Sequence, residues 1–420
     1  MKTLRINKIP FGKIGVFGFA FFAPVSIAFS QICMGLAILG WIIKMIQEKS
    51  FRWEKTPLDI PILIYVVIQI IAVLGSQNIT VAISGWINTD WFILFYFAVV
   101  NLIDDESDYK MIFTILAVSG TVSAVYGIIQ HFVGFDFIRG NENLWPYGDF
   151  FRATGFFNFP LTYGGIQLGI FFLLAPFYFV DNMFFNKKLY LLILILLFLS
   201  IIASYARSAW MGFGAALIVL LFFLKKKTVF TLIGVAIAGV IAIYFIHPDL
   251  IYNQGLLSMF DISENAPYNN LVRIRLWESS WAMIRDNWLF GIGYSNFAEI
   301  FEKYKVPFDY RGLNDPHNDY LKIAALSGIF GSIAFIALWI TDLRTKYHCY
   351  RKPHFISEFT IWKAGSVGSF FSIFAFLVAA LTQEYYHDAE TAELWWMIAA
   401  LGVIGVIHKQ NKKSRDNHEP

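Results

Sequence analysis

The run KKLYLLILILLFLSIIASYARSAWMGFGAALIVLLFFLKKK (187–227) holds two apolar stretches, 188–204 and 207–224. Lysines close both far ends, and one arginine, Arg207, stands where the stretches meet. Apart from Lys188 and Arg207 at their first positions neither stretch carries a charge, and each approaches the roughly 20 apolar residues that cross a bilayer as a helix. Lys187, Lys188 and Lys225 to Lys227 therefore lie on one side of a membrane, and Arg207 lies at a tight turn on the other. Basic residues gather on the cytoplasmic side of membrane proteins. The lysines mark the cytoplasm, and Arg207 stands against the trend.

The same alternation runs through the chain. About twelve apolar spans are predicted, at 12–29, 31–47, 58–76, 88–103, 109–131, 160–181, 188–204, 207–224, 228–246, 317–341, 362–383 and 392–408. Several are short, which predicts misplaced edges or helices beside water-filled cavities. An even number puts both termini on one side. Of the 33 Lys and Arg, 23 fall there, in clusters such as Lys2/Arg5/Lys8/Lys13, Lys44/Lys49/Arg52/Lys55 and Lys409/Lys412/Lys413/Arg415. The other side has ten, and seven of those are arginine: Arg139, Arg152, Arg207, Arg273, Arg275, Arg285 and Arg311. The acidic link 101–110 (Asp104, Asp105, Glu106, Asp108) departs from the pattern, but acidic residues weigh little in the rule.

Composition agrees. Of the 420 residues 57% are apolar and only 15% charged, where soluble domains have roughly 25% charged. Mean hydropathy is +0.57. A chain like this is an all-α polytopic membrane protein. No segment offers a basic face on a soluble fold, so nucleic acid is excluded as a partner. Met1 to Lys13 leads into two apolar stretches between Val16 and Ile46 without a small-residue cleavage site, and reads as an uncleaved hairpin. Cys33 and Cys349 fall on opposite sides, which precludes a disulfide.

Three blocks result: 1–246 with spans one to nine, 247–316 as a large outer loop, and 317–420 with spans ten to twelve and a cytoplasmic tail. Within the loop, Leu271 to Leu289 is predicted as an amphipathic helix, because Leu276, Trp277, Trp281, Ile284 and Trp288 recur at three- and four-residue spacing. Tryptophan on such a face suits a membrane interface or simple packing against the spans. Arginines kept on the outer side suggest an anion site, since a guanidinium grips phosphate oxygens with two parallel hydrogen bonds. Taken singly, each of these arginines is equally a solvated or headgroup-facing side chain.

In Asn314-Asp315-Pro316-His317-Asn318-Asp319-Tyr320-Leu321, Asp315 is a good N-cap and Pro316 suits the first helical position. That places His317 in the first turn of span ten, where the helix dipole disfavours imidazolium. A neutral imidazole beside an anion site can act as a general base. It can equally be an interfacial histidine that only makes hydrogen bonds. Arg273 and Arg275 open the amphipathic helix and, two residues apart, point in different directions. Arg311 precedes His317 by six residues and is expected to fold back over it. His387, Asp388 and Glu390 sit at the outer mouth before span twelve. No P-loop, Rossmann glycine pattern or HExxH motif occurs, and no carboxylate or His/Cys set has metal-ligand spacing.

These motifs, in this order, resemble the O-antigen ligase family: Arg152-Ala-Thr-Gly155, Ser204-Tyr-Ala-Arg207-Ser-Ala-Trp210, Arg273-x-Arg275-x-Trp277, Phe290-Gly-Ile-Gly293-x-x-Asn296-Phe297 and Pro316-His317-Asn318-Asp319-Tyr320-Leu321. The resemblance covers about residues 150–345. It implies a GT-C-like inner-membrane glycosyltransferase, inverting and without metal or other cofactor. The donor would be a glycan on undecaprenyl diphosphate, and the acceptor a hydroxyl of lipid A-core or of another glycan at the periplasmic face. On this resemblance Arg207 grips the diphosphate, Arg152, Arg273, Arg275 and Arg311 are further candidates, and His317 deprotonates the acceptor. Asn318, Tyr320, His387 and Glu390 would support the site. Many members carry an acidic residue nine positions after the histidine. Here it is Leu326, which leaves His387, Asp388 or Glu390 as substitutes.

Within the family a ligase, a polymerase and a protein-directed transferase compete. A polymerase needs a second anion site for its diphosphate-linked acceptor. The protein-directed group often has an added C-terminal region, and little chain follows span twelve here. A secondary transporter or flippase would call for inverted repeats or mid-span polar groups. No repeat is evident, and the ligase is the favoured reading.

Overall fold

A computed structural model describes residues 11–49, 53–140, 144–180, 185–222, 261, 263, 267–294, 297–350 and 359–416. Its helices are α1 (Phe11–Phe22), α2 (Ile27–Gln47), α3 (Asp59–Leu74), α4 (Ile79–Asp90), α5 (Phe92–Leu102), α6 (Glu106–Val133), α7 (Pro160–Leu174), α8 (Lys187–Ala203), α9 (Arg207–Leu221), α10 (Tyr268–Asp286), α11 (Phe297–Phe301), α12 (Asp319–Tyr350), α13 (Ile361–Ala379) and α14 (Ala389–Asp416). A hairpin of β1 (Trp145–Tyr147) and β2 (Phe150–Arg152) pairs Trp145 with Arg152.

Seven helices are long and apolar enough to cross a membrane, and three more are apolar but shorter. The protein is a mostly helical, multi-pass membrane protein. Twelve spans are not reached among the described residues, and the predicted span 228–246 lies outside them, as does 247–260 of the outer loop. The predicted span 88–103 was placed too narrowly. Ile79–Leu102 forms one crossing, broken only at Trp91. Asn78 caps its start by accepting the Val81 N–H, and the polar run through Asp90 had masked it from hydropathy.

The helices turn their polar groups inward, as lipid demands. On α3, Ile60, Leu63, Ile64, Val67, Ile71 and Leu74 are exposed, while Tyr65 and Gln69 are buried. On α12 Asp342 and Lys346 form a fully buried ion pair at 2.6 Å. Such pairs persist inside spans because an unpaired charge there costs several kcal/mol. The centre is aromatic: Trp339 packs against Tyr386, Trp395 and Trp396. α1 and α2 pack as the predicted hairpin, so closely that a Cβ on Gly40 would lie 2.3 Å from Gly12 Cα. Lys13 explains the acidic link. Its ammonium pairs with Asp104 at 2.8 Å, Asp105 at 3.6 Å and Asp108. Cys33 is a free thiol, and the Cys349 side chain lies outside the described residues.

One helix is interrupted. At Gly328 α12 adopts φ 62°, ψ −160°. The freed carbonyls of Ala325 and Leu326 accept the N–H groups of Ile292 (2.8 Å) and Gly293 (2.9 Å), and Ile329 donates to Trp288 O. Irregular backbone is tolerated at such depth only where protein satisfies it. The sequence Gly291-Ile-Gly293 is what allows this. A Cβ on Gly291 would lie 2.4 Å from Leu326 C, and one on Gly328 2.3 Å from Leu289 O.

Candidate active site

The site assembles from four segments that meet at one end of the bundle. The first is the β hairpin. Arg152 donates through Nε to Ser204 O (3.1 Å) and through a terminal nitrogen to Tyr205 O (3.2 Å). The Ala153 N–H adds a bond to Ala203 O at 2.8 Å. Arg152 is thereby clamped onto the tight turn between α8 and α9, where Tyr205 has a positive φ of 51°.

That turn is the second segment, and it delivers Arg207 at the start of α9. Arg207 donates to Asn270 Oδ1 at 2.9 Å. Asn270 opens the third segment, α10, which replaces the predicted helix 271–289 with Tyr268–Asp286. Its apolar residues do not share one face as predicted. Leu276, Met283 and Ile284 are buried, whereas Trp281 and Trp288 are exposed. Asn270, Arg273 and Trp277 follow one another at three and four residues and share a side. Trp277 Nε1 donates to Pro316 O at 2.8 Å. This stripe turns Arg273 toward Arg207, Arg152 and His317.

Arg152, Arg207 and Arg273 thus form one cluster. Burial, with Arg207 adding repulsion, pushes Arg152 down to about 10. Burial, then Arg207 and Arg152, push Arg273 to about 10. None of the three pairs with a carboxylate among the described residues. Tyr385 stands beside Arg152 and Arg273, its phenol raised by burial and its hydroxyl 2.8 Å from Ser208 Oγ in the first turn of α9.

The other two candidate arginines lie elsewhere. Arg275 points away and pairs with Glu278 at 2.7 Å. Arg311 does not fold over His317. It stacks on the Tyr268 ring at 4.0 Å and lies 3.8 Å from Asp309. In both cases a nearby carboxylate or aromatic ring, invisible to motif order, takes the guanidinium.

His317 sits just outside α12, not in its first turn. It has a left-handed φ of 47°, and the helix begins at Asp319. The N-cap is Asn318, whose Oδ1 accepts the Leu321 N–H at 3.0 Å. Asp315, the predicted cap, instead holds Lys322 at 2.8 Å. The imidazole is pushed down to about 4, first by burial and then by Arg273, with Asp315 opposing. A neutral ring was expected from the helix dipole, and it arises from burial and a neighbouring guanidinium.

The fourth segment, 380–388 between α13 and α14, cradles the His317 turn. Glu384 Oε1 accepts the His317 N–H at 2.9 Å, and its Oε2 accepts from Lys322 at 2.7 Å. The Gln383 side chain adjoins the ring. Asn318 Nδ2 donates to Leu381 O, and Tyr320 Oη donates to Leu377 O of α13, both at 2.8 Å. His387 pairs through Nδ1 with buried Asp319 at 2.7 Å. Asp388 accepts from Thr162 at 2.6 Å, and Glu390 lies against Asp388. Gln383, Glu384 and Tyr385 were missed in the sequence. The only signal was a polar run of six residues, Gln383 to Asp388, between two apolar spans.

Residues 192–336 match the O-antigen ligase family model. This segment belongs to the O-antigen ligase family. It runs from α8 into α12 and contains Arg207, Arg273 and His317. Members of the O-antigen ligase family are glycosyltransferase-like membrane enzymes. No curated protein matches the chain. Arg152 and the cradle 380–388 lie outside the matched O-antigen ligase segment and reach the site through folding alone.

Among the described residues, the one group of three or more acidic, His or Cys side chains close enough to share a metal ion is Asp104, Asp105 and Asp108. It surrounds Lys13 rather than His317.

Proposed function

We propose that the protein is a glycosyltransferase of the inner membrane that moves a glycan from undecaprenyl diphosphate to a sugar hydroxyl of lipid A-core at the periplasmic face, with inversion and without a metal. The observation that carries this reading is the carboxylate-free cluster of Arg152, Arg207 and Arg273 beside a neutral His317. Three half-buried guanidiniums without a protein counter-charge favour a multivalent anion, and a diphosphate is one that can also leave.

In this mechanism the guanidiniums hold the diphosphate. His317 takes the proton of the acceptor hydroxyl while that oxygen attacks the anomeric carbon. The carbon–oxygen bond to phosphate breaks, and its electron pair stays on the diphosphate. The donor also tunes the base. Its negative charge offsets Arg273, the cation that depresses His317, so the imidazole becomes more basic when the leaving group is in place.

A ligase is favoured over a polymerase by the remaining outer cations. Of these seven, Arg275, Arg285, Arg311, Lys305 and Lys322 each have a carboxylate partner, and Arg139 donates to Phe156 O. Only one carboxylate-free arginine cluster stands at this end among the described residues, and a polymerase needs places for two diphosphates. The test is purified protein in lipid nanodiscs, offered diphosphate-linked glycan with or without lipid A-core, in excess EDTA. Glycan on lipid A-core is expected. Elongation of the diphosphate-linked glycan alone would make it a polymerase, and rescue by Mg²⁺ after loss in EDTA would overturn the arginine-only leaving-group site.

A further inference from the structure

His317 is held by a charge cluster drawn from its own turn, from α12 and from the 380–388 segment. Lys322, one turn into α12, bridges two carboxylates, Asp315 at 2.8 Å and Glu384 at 2.7 Å. Glu384 uses its second oxygen on the His317 N–H at 2.9 Å. The N–H belongs to a residue in the left-handed region, where a non-glycine side chain persists only when its surroundings hold it. Leu326, nine positions after His317, carries no charge. Its carbonyl accepts from Gly293.

We propose that Glu384 is the positioning residue of His317, fixing its main chain and, together with Asp315 across Lys322, supplying the net negative charge that stabilises the imidazolium formed when His317 takes the acceptor proton. This rests on His317 being the base. The groups facing the ring are Arg273 from α10, Asp315 from its own turn, Lys322 from α12 and Gln383 from the cradle. Arg273 is cationic and Gln383 neutral, so Asp315, Lys322 and Glu384 together offset Arg273. Their sum is one negative charge. His387, near Glu384, is already committed to Asp319. The arrangement resembles in logic a carboxylate behind a catalytic histidine, which orients the ring and stabilises its charged form without itself taking the proton.

The test is glycan transfer by purified protein across pH, with donor KM and kcat read separately. Glu384→Gln keeps an acceptor for the His317 N–H but removes the net charge. Its kcat should fall at least about tenfold, with donor KM within about twofold, and the acid limb of kcat should move to lower pH by about one unit. Glu384→Gln/Lys322→Met restores one negative charge through Asp315, and should bring the limb back toward its original position. Lys322→Met alone leaves two carboxylates and should move the limb upward. A residue that merely braces the fold would lower thermal stability and yield without moving the limb. An unmoved limb in Glu384→Gln, or a donor KM that rises as much as kcat falls, overturns the proposal. If His317→Ala retains full activity, the base reading itself fails. If His317→Ala is inactive while Glu384→Gln is normal, only this inference fails.

Discussion

Arg273 and Arg275 are two residues apart on one helix, and only one of them faces the candidate diphosphate site. Arg273 is half-buried beside Arg152 and Arg207 without a carboxylate. Arg275 is 43% exposed and paired with Glu278. A hydrogen bond to a charged partner contributes about 1.5–3 kcal/mol, so Arg273→Met should weaken the donor about 10- to 100-fold. An exposed ion pair is worth about 0.2–1 kcal/mol and touches stability alone, so Arg275→Met should leave donor KM within about twofold. A second readout follows from charge. Arg273 disfavours the His317 imidazolium, so its removal should raise the ring from about 4 toward its ordinary range and shift the acid limb of kcat/KM to higher pH. The assay is transfer in nanodiscs with donor titrated at several pH values, for both variants. Equal losses in the two variants, or an unchanged donor KM in Arg273→Met, would refute the assignment of faces.

Three further outcomes are expected. Arg207→Lys keeps the charge but loses the planar fork, and should lose most transfer while membrane insertion, read by yield and size-exclusion profile, stays normal. Folding stability should fall as pH drops from about 6.5 to about 4, because the unfolded chain binds a proton at position 317 that the folded protein refuses. The part due to His317, on the order of 2–3 kcal/mol, should vanish from the melting profile of His317→Gln. Gly328→Ala puts a Cβ 2.3 Å from Leu289 O at a positive φ, and should lower the melting temperature and, by displacing the first turns of α12, reduce transfer.

The two apolar stretches around Arg207 were legible because hydropathy and lysine placement are local properties of a span. Arg152, Arg207, Arg273 and His317 were legible as residue types in segments that the lysine pattern sets apart, since arginine in those segments runs against the expected trend. Their sorting was not. Asp315 and Asn318 are both acceptable caps by sequence, and the choice falls to Asn318 because Lys322 draws Asp315 away. Arg311 and Arg275 have the same composition signal as Arg273, but Tyr268 and Glu278 hold them outward. Glu384 lies 67 residues from the main-chain N–H it accepts, with two whole spans between, and no periodicity links the two. The break at Gly328 shows the reverse case. The glycines were visible as a motif, and the backbone pairing of 288–293 with 325–329 gives the reason for them.

The central claim separates two tasks, holding the diphosphate and moving the proton, between the arginine cluster and His317. Binding of an undecaprenyl-diphosphate-linked glycan, measured beside single-turnover transfer at saturating donor, tests it in one set of variants. Arg152→Met, Arg207→Met and Arg273→Met should each lose donor binding and transfer together. His317→Gln should bind donor within a few-fold of wild type and lose at least about 10²-fold in transfer. A His317→Gln variant that transfers nearly as well as wild type, or that fails because donor no longer binds, would contradict the account.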